Sequence, residues 1–220
     1  MTRDKHLSKR QVLPMTSKSV KLTINPTPEQ VQLLQDHINA AQFSYNYCLE
    51  HLIDIDEIKA SKGNKNNKIS WHPPDSKHYQ VSSFELEKRL NAIKDKIAPW
   101  NKENSQYAFK SGARDVAYDV NRIISRVSLS HISDADLPQP VDEIQINKKG
   151  VSFQTSKHGM RSNGRYFNLP KIGPVRINAG QDRLRELMQV GGITSSARLR
   201  KEDDRWTLRV YVNEAHYYSY

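Results

Sequence analysis

The sequence predicts an α+β fold in which a small β-barrel or sandwich is interrupted by an inserted bundle of helices. The prediction follows from where the hydrophobic period changes. Apolar and polar residues alternate over 19–25, apolar residues then recur every three or four positions from 28 to about 59 and again from about 83 to 127, and alternation returns after Pro138. Alternation is typical of half-buried strands, whereas spacing of three and four is typical of amphipathic helices.

The first strand and the first helix have the strongest local signals. Val20, Leu22 and Ile24 share one face of a strand within 17–26. The segment Thr27-Pro28-Glu29-Gln30 then combines an N-cap, a proline at the first helical position, an acidic first turn and the glutamine of a capping box. The apolar residues that follow predict a helix from 28 to about 59. They are Val31, Leu34, Ile38, Ala41, Tyr45, Cys48, Leu52 and Ile55.

Two further helices complete the predicted bundle. They follow a loop over 61–78 that is rich in Gly, Asn, Lys and Pro. Ser82 or Ser83 caps the first of them, and Asn104 or Ser105 caps the second, because hydroxyl and amide oxygens accept the free amide hydrogens of a first helical turn.

After the bundle, short strands alternate with turns, and one short helix is predicted over 182–189. The predicted strands are centred on Ile144/Ile146, Val151/Phe153, 166–169, Val175/Ile177, 193–199 and 206–212. The predicted organisation is a flexible basic arm over 1–16, the first barrel strand over 17–26, a helical insertion over 27–137 and the remainder of the barrel over 138–220.

Charge and composition limit the class of protein. Of 220 residues, 34 are Lys or Arg and 24 are Asp or Glu, so the net charge is +10. The excess is regional, because 144–201 holds twelve basic residues and two acidic ones. This distribution favours a polyanionic partner, above all nucleic acid. With one cysteine, Cys48, and no apolar run of membrane length, we expect a cytoplasmic protein with neither a disulfide framework nor a membrane partner.

Catalytic motifs are not found in the sequence. The nucleophile elbow GxSxG, the phosphate loop GxxxxGK[ST] and the dinucleotide fingerprint GxGxxG do not occur. Acidic residues within 54–57 would point in different directions on a helix, and His72, Asp75 and His78 lack a fourth ligand. The sequence therefore predicts that the chain is not an enzyme and has no catalytic residue, no metal site and no cofactor.

Three ordered stretches, spanning about 17 to 213, resemble one protein family. The first is KLTINPTPEQ, followed by Phe43, Tyr45 and Asn46, where the family has a strand, a Pro-Thr-Pro-Glu-Gln box and an aromatic-Asn pair. The second begins SSFELEKRL and ends DVNRI, and the third contains LPKIG before a strand. In these stretches the chain is similar to the OrfB or TnpB proteins of insertion sequences, which are relatives of the compact type V CRISPR effectors.

The resemblance implies a wedge-type barrel, similar to oligonucleotide-binding folds, from 17–26 together with 140–213. It also implies a helical recognition insertion over 27 to about 135, whose first helix carries the helix-turn-helix label. In the family these parts hold a guide RNA and read a short DNA motif. Family members continue into an RNase H-type nuclease domain with three metal-binding carboxylates and a four-cysteine zinc ribbon, whereas this chain stops at Tyr220.

We therefore expect the nucleic-acid-binding portion of a transposon-encoded, transposase-related protein, without a nuclease centre of its own. Its expected partners are structured RNA, duplex DNA or both. Two alternatives stay open. The chain is one half of a split RNA-guided DNA endonuclease whose nuclease partner comes from an adjacent reading frame, or it is a decayed remnant without function.

The candidate nucleic-acid contacts form two groups. The DNA-facing candidates are Tyr45 and Asn46 on the first helix, and Lys77, Tyr79 and Gln80 at the entry to the second. The amides of Asn46 and Gln80 match adenine edges, and a cap or turn role is the alternative for both. The phosphate candidates, whose alternative is a solvated outer surface of the barrel, are Lys148, Lys149, Arg161, Arg165, Lys171, Arg198 and Arg200.

Overall fold

The computed structural model describes residues 16–54, 56, 81–127, 131–154 and 160–214. Within these ranges the chain is α+β, as predicted, with five α-helices and a curled six-stranded antiparallel sheet that forms a half-barrel. The elements in chain order are β1 (Thr16–Asn25), α1 (Pro28–His51), α2 (Ser83–Ile97), α3 (Gln106–Ile124), α4 (Glu143–Lys149), β2 (Val151–Gln154), β3 (Tyr166–Leu169), β4 (Gly173–Ala179), α5 (Gln181–Gln189), β5 (Gly192–Glu202) and β6 (Arg205–Glu214).

The sheet joins the beginning of the chain to its last third. Its strand order is β2-β5-β6-β1-β4-β3, so β1 lies between β6 and β4. The register shifts at Thr23/Ile24 in β1 and between Thr194 and Ser196 in β5, and such irregularities bend and twist a strand. Within the described ranges β2 and β3 do not pair with each other, and the sheet is therefore a half-barrel rather than a closed one.

The core is one cluster shared by the sheet and the bundle. Leu22, Leu208 and Val210 alternate along neighbouring strands and are 0% exposed. From α1, Leu34 and Ile38 are also 0% exposed and belong to the same cluster. The predicted inner face of β1 is thus confirmed, and so is that of α1 from Leu34 to Cys48, since burial of these apolar side chains holds the bundle on the sheet. Val31, in the first turn of α1, was predicted to be buried and is 37% exposed, and Ile55 lies outside the described residues.

The capping box before α1 is confirmed. Gln30 N donates to Thr27 Oγ1 at 3.3 Å, and Thr27 N donates to Gln30 Oε1 at 3.1 Å. The Gln30 amide also donates to Pro174 O at 2.9 Å, which fastens the start of α1 to β4. The box therefore sets both where the helix begins and how it meets the sheet.

The predicted end of α1 near residue 59 is wrong. The helix ends at His51, with Leu52 as its C-cap. Asp54 Oδ1 then accepts a 2.8 Å hydrogen bond from Asp56 N. An aspartate that bonds the backbone two residues later competes with a continuous helix, and apolar spacing alone does not reveal this competition.

The predicted strand at Ile144/Ile146 is also wrong, because this segment is α4. Asp142 is its N-cap, and Gln145 completes a capping box with it. Two alternating isoleucines are too short a pattern to separate a strand from one helical turn, whereas the Asp-x-x-Gln spacing specifies the start of a helix. The other five predicted strands and the short helix near 182–189 are confirmed.

Candidate nucleic-acid interface

A cleft of about 820 Å³ separates the helical bundle from the outer face of the sheet. The start of α2 and one side of α3 form one wall, and residues from the end of α4 and from β5 and β6 form the other. We call this the bundle–sheet cleft. It is lined by Val81, Ser82, Ser83, Phe84, Arg114, Asp115, Ala117, Tyr118, Asp119, Asn121, Arg122, Lys149, Arg198, Arg200 and Tyr211.

An ion-pair network holds the two walls together. Arg198 Nη2 bonds Asp115 Oδ2 at 2.6 Å, and Lys149 bonds Asp119. Burial raises the pKa of Asp115, and the adjacent Arg198 guanidinium opposes that shift. These pairs neutralise both acidic residues of the cleft, so its remaining cations determine its charge.

Arg122 and Arg200 are those remaining cations. In the part of the chain that the structure describes, neither forms an ion pair, whereas the cleft residue Arg114 pairs with Glu87. The Arg200 Nε is buried and has no hydrogen-bond partner among these same residues. A guanidinium has five donors and binds phosphate oxygens well, so both arginines suit phosphate contacts.

Two exposed aromatic side chains flank the cations. Phe84 is 74% exposed and Tyr118 is 68% exposed, although both are large residues that would otherwise bury much surface. Exposed aromatic faces beside arginines are the arrangement on which unpaired bases stack.

A row of cations continues from the cleft across the outer face of the sheet. Arg198 is the direct cross-strand partner of Arg209, and Arg209 is the partner of Lys21. Like charges placed opposite each other repel, and here Asp115 offsets Arg198 while Glu202 bonds Lys21 at 2.7 Å. Exposed Arg209 lies between them and is a further phosphate candidate.

Buried Tyr45 is not the DNA-facing residue that the sequence predicted, and half-buried Asn46 uses its amide in contacts within the protein. Tyr45 is 1% exposed, and its hydroxyl donates to Asp119. The Asn46 amide donates to Val141 O at 3.1 Å and accepts from Val141 N at 2.8 Å, so it braces the chain before α4. Asn46 therefore has the turn role that was the alternative to base contact.

Lys149 and Arg198, two phosphate candidates, serve structural contacts. Lys149 bonds Asp119, and its Nζ lies 5.1 Å from the centre of the Tyr45 ring. Arg198 bonds Asp115, Ser152 Oγ at 3.2 Å and two backbone carbonyls. Because each is paired with a carboxylate of α3, both residues help to position the walls of the cleft.

The other phosphate candidates do not form one patch. Arg161, Arg165 and Lys171 are exposed beside β3, at one end of the strand order, whereas Arg200 lies on β5 toward the other end. Lys148 is exposed in the last turn of α4. Lys77, Tyr79 and Gln80 lie outside the described residues.

Sequence reasoning missed Phe84, Tyr118, Arg122 and Arg209. A signal existed for each, because Phe84, Tyr118 and Arg122 fall off the apolar faces of their helices, and Arg209 alternates with buried residues in β6. A large aromatic residue on a polar helix face is less expected than a cation, because charged side chains are the ordinary residues of a solvated surface.

Two negative findings concern the described residues only. Nowhere in 16–54, 56, 81–127, 131–154 or 160–214 do three His, Cys, Asp or Glu side chains gather as a metal site would require. Over the same ranges, every helix is too short or too polar to cross a bilayer.

Comparison with known proteins gives one family match. Residues 15–55 match the family model described as a helix-turn-helix domain, of the OrfB IS605 type. In the structure this segment comprises β1, α1 and the turn that follows. A comparison with curated proteins finds no match.

Proposed function

Since the chain is an OrfB-type, transposase-related protein by its helix-turn-helix domain, we propose that it binds structured RNA and duplex DNA in the bundle–sheet cleft. The family domain supports DNA binding in general, and the cleft supplies chemistry for both polymers. Duplexes would be held by phosphate contacts, and RNA additionally by stacking of its unpaired bases.

The observation that carries the proposal is that one cleft holds exposed aromatic side chains together with arginines that have no ion-pair partner among the described residues. Arg122 and Arg200 supply positive charge, while Phe84 and Tyr118 supply faces for bases. Each phosphate contact releases counterions and makes binding salt-dependent, and each stacked base contributes about 1–3 kcal/mol.

The surface of α1 is less suited to nucleic acid than the bundle–sheet cleft. Its sequence PEQVQLLQDHINAAQFSYNYCLEH contains no Lys or Arg and has acidic residues at Glu29, Asp36 and Glu50. A helix that enters a major groove must lie among phosphates, which repel such a surface. Binding is therefore assigned to the cleft, which the helix-turn-helix segment helps to build through Tyr45.

Binding without cutting is part of the proposal and rests on the sequence, which contains no nucleophile elbow, phosphate loop or dinucleotide fingerprint. Labelled RNA and DNA should remain intact when incubated with the protein and Mg²⁺ or Mn²⁺. A cleaving activity that shortens the labelled strands and copurifies with the protein through successive columns would overturn this part.

The binding test compares variants of the cleft with matched variants outside it. Fluorescence anisotropy is measured with structured RNA and duplex DNA at several salt concentrations. The double change Arg122→Ala and Arg200→Ala should weaken both and lower the salt slope by about 2, since roughly one counterion is released per phosphate contact.

Two further double variants complete the test. Phe84→Ala with Tyr118→Ala should weaken RNA more than duplex DNA, because duplex bases are already stacked. The control is Arg183→Ala with Arg185→Ala on α5, whose guanidinium groups are exposed and ion-paired within their own helix. Equal losses in the control and the cleft variants would overturn the assignment to the cleft.

A further inference from the structure

A second basic surface lies on the outer side of β3 and β4, far along the strand order from β5 of the cleft. It comprises Arg161, Arg165, Tyr166 and Arg176, which are all exposed, and we call it the β3–β4 face. Four strand spacings, or about 19 Å along the sheet, separate β3 from β5. None of its residues lines the bundle–sheet cleft, so the two surfaces are separate.

Strand register brings the side chains of the β3–β4 face to one side of the sheet. Tyr166 and Arg176 are direct cross-strand partners, and such partners have Cβ atoms about 4.5–5.5 Å apart. The next residue, Phe167, is 0% exposed, so Tyr166 and Arg176 point outward by alternation. Ser162 bridges Phe167, and the exposed Arg161 beside it therefore points outward as well.

Hydrogen bonds fix the backbone of this face. Ile177 N donates to Arg165 O at 2.8 Å, which ties the turn before β3 to β4. The Asn163 side chain accepts from Tyr166 N at 2.9 Å, in the manner of an Asx turn. A ligand of the β3–β4 face therefore meets a backbone that is already ordered, and less binding free energy is lost in ordering it.

The positive charge of the β3–β4 face is not compensated by the residues around it. The sequence contains no Asp or Glu over 144–181, and neighbouring β1 contains none either. Among the residues that the structure describes, the three arginines of the face form no ion pair and no side-chain hydrogen bond. Arg185 of α5, which lies near Gly164, differs because it pairs with Asp182 at 3.3 Å. The face therefore attracts an anionic partner.

Tyr166 offers an aromatic ring that a ligand can reach. It is 41% exposed, although tyrosine is a large side chain. Tyr45 and Trp206 each have a lysine nitrogen over the ring, at 5.1 and 5.6 Å from its centre. Across the described part of the chain, no cation lies over the Tyr166 ring and no other ring packs on it. Its ring is therefore available for stacking.

Three guanidinium groups around an accessible ring favour unpaired nucleotides over a duplex. Guanidinium groups bind phosphate oxygens, and an aromatic ring stacks on a base that a duplex has not already stacked. We propose that the β3–β4 face binds a single nucleic-acid strand, with a base on Tyr166 and phosphates at the three arginines. The chain would then hold a single strand there while the bundle–sheet cleft holds a duplex, and this second statement rests on the proposed function.

The test is fluorescence anisotropy of the full chain with labelled oligouridine and oligothymidine of about six nucleotides. All variants are made in a chain that carries Arg122→Ala and Arg200→Ala, so that the bundle–sheet cleft contributes little. Adding Arg161→Ala with Arg176→Ala should weaken binding about tenfold, because two phosphate contacts are lost. Binding of either probe with this pattern supports the proposal, and the tighter probe identifies the strand as RNA or DNA.

Two changes at Tyr166 separate stacking from a general loss of structure. Tyr166→Leu should weaken binding about fivefold or more, whereas Tyr166→Phe keeps the ring and should bind like the unchanged face. The charge control is Lys96→Ala with Arg183→Ala, which removes two exposed cations on α2 and α5 and should stay within about twofold. An equal loss in this control, or equal binding by Tyr166→Leu and Tyr166→Phe, would overturn the proposal.

Capture on beads tests whether both surfaces are occupied at once. The parent chain, bound to immobilised duplex DNA, should retain labelled oligouridine, whereas the chain with only Arg161→Ala and Arg176→Ala should stay on the duplex and retain much less. Equal retention by the two chains would overturn the β3–β4 face as a separate surface. If the chain does not bind the duplex but the anisotropy results are as expected, the cleft proposal fails and the β3–β4 face is supported.

Discussion

The Tyr45 hydroxyl donates a 2.7 Å hydrogen bond to Asp119 Oδ2 and thereby joins α1 to α3. Lys149 from α4 bonds the same carboxylate and lies over the Tyr45 ring. One turn earlier on α3, Asp115 bonds Arg198 of β5. The four polar residues around Tyr45 connect three helices to the sheet and fix the floor of the bundle–sheet cleft.

Tyr45→Phe should lower the free energy of unfolding by about 1.5 kcal/mol, since it removes a hydrogen bond to a charged, largely buried acceptor. Urea unfolding measures this. Tyr118→Phe is the control, because its hydroxyl is on a side chain that is 68% exposed, and it should change stability by less than about 0.5 kcal/mol. Equal effects of the two changes would contradict the role of Tyr45 in the network.

The spacing of apolar residues along α1 predicted the burial of Tyr45 correctly. It falls in the same apolar series as Leu34, Ile38 and Ala41, which predicted its burial, whereas the family motif alone nominated it for DNA contact. Spacing predicted the environment of Tyr45 better than the family motif did, because side chains on the apolar face of an amphipathic helix pack into the core.

The pairing partners in the cleft could not be predicted from a single sequence. Asp115 and Arg198 are 83 residues apart, and Tyr45 and Asp119 are 74 apart. Such contacts depend on how the bundle docks on the sheet, and the spacing of apolar residues within one element does not determine that docking. Lys149 and Arg198 were predicted as phosphate contacts, with solvated surface as the alternative, because their sequence neighbourhood is basic, while the carboxylates that pair with them come from α3.

Gly112→Ala should destabilise the protein strongly, although alanine favours a helix by about 1 kcal/mol over glycine. A Cβ at Gly112 would lie 2.0 Å from Ser44 Oγ, 2.4 Å from Ala41 O and 2.6 Å from Tyr45 N, so α1 and α3 would have to separate. We expect a loss of about 3 kcal/mol or more in the free energy of unfolding.

Gly191→Ala is the control for Gly112→Ala. Gly191 has φ 84° with no atom within 4 Å of an added Cβ, and so its replacement tests backbone strain without a clash. It should cost about 1 kcal/mol, less than Gly112→Ala. A smaller loss for Gly112→Ala in the same urea unfolding experiment would show that α1 and α3 are not in close contact.

Stability should fall as the pH decreases below about 6.5, because His37 is buried in its neutral form. Its Nε2 accepts from Ser105 N at 3.0 Å and its Nδ1 donates to Leu33 O at 2.6 Å, a combination that only the neutral ring can make. Burial lowers the pKa of His37, and Lys171 lowers it further, while the Leu33 carbonyl and Asp36 oppose the shift.

The direction of this pH dependence follows from where each state of the chain binds a proton. His37 takes up a proton at the ordinary histidine pKa in the unfolded chain and only at lower pH in the folded chain. Its neutral form therefore contributes its full share of the folding stability above pH 7, and this share is lost as the pH falls toward the pKa of folded His37. Urea unfolding at pH 7.5, 6.5 and 5.5 measures this. His37→Gln should flatten the dependence relative to the exposed control His51→Gln, and identical slopes for the two variants would exclude His37 as its source.

A single negative charge should weaken nucleic-acid binding when placed in the cleft and have little effect on α1. Ser83→Asp adds a carboxylate to the first turn of α2, where it favours the helix dipole but repels phosphate in the cleft. We expect roughly a fivefold loss of affinity, from about 1 kcal/mol of repulsion between exposed charges.

Asn39→Asp adds the same charge to the exposed side of α1 and keeps the oxygen that accepts from Gln35, so affinity should stay within about twofold. Anisotropy titrations with duplex DNA measure both variants, and circular dichroism confirms that both are folded. A larger loss for Asn39→Asp than for Ser83→Asp would place α1, rather than the bundle–sheet cleft, against the DNA.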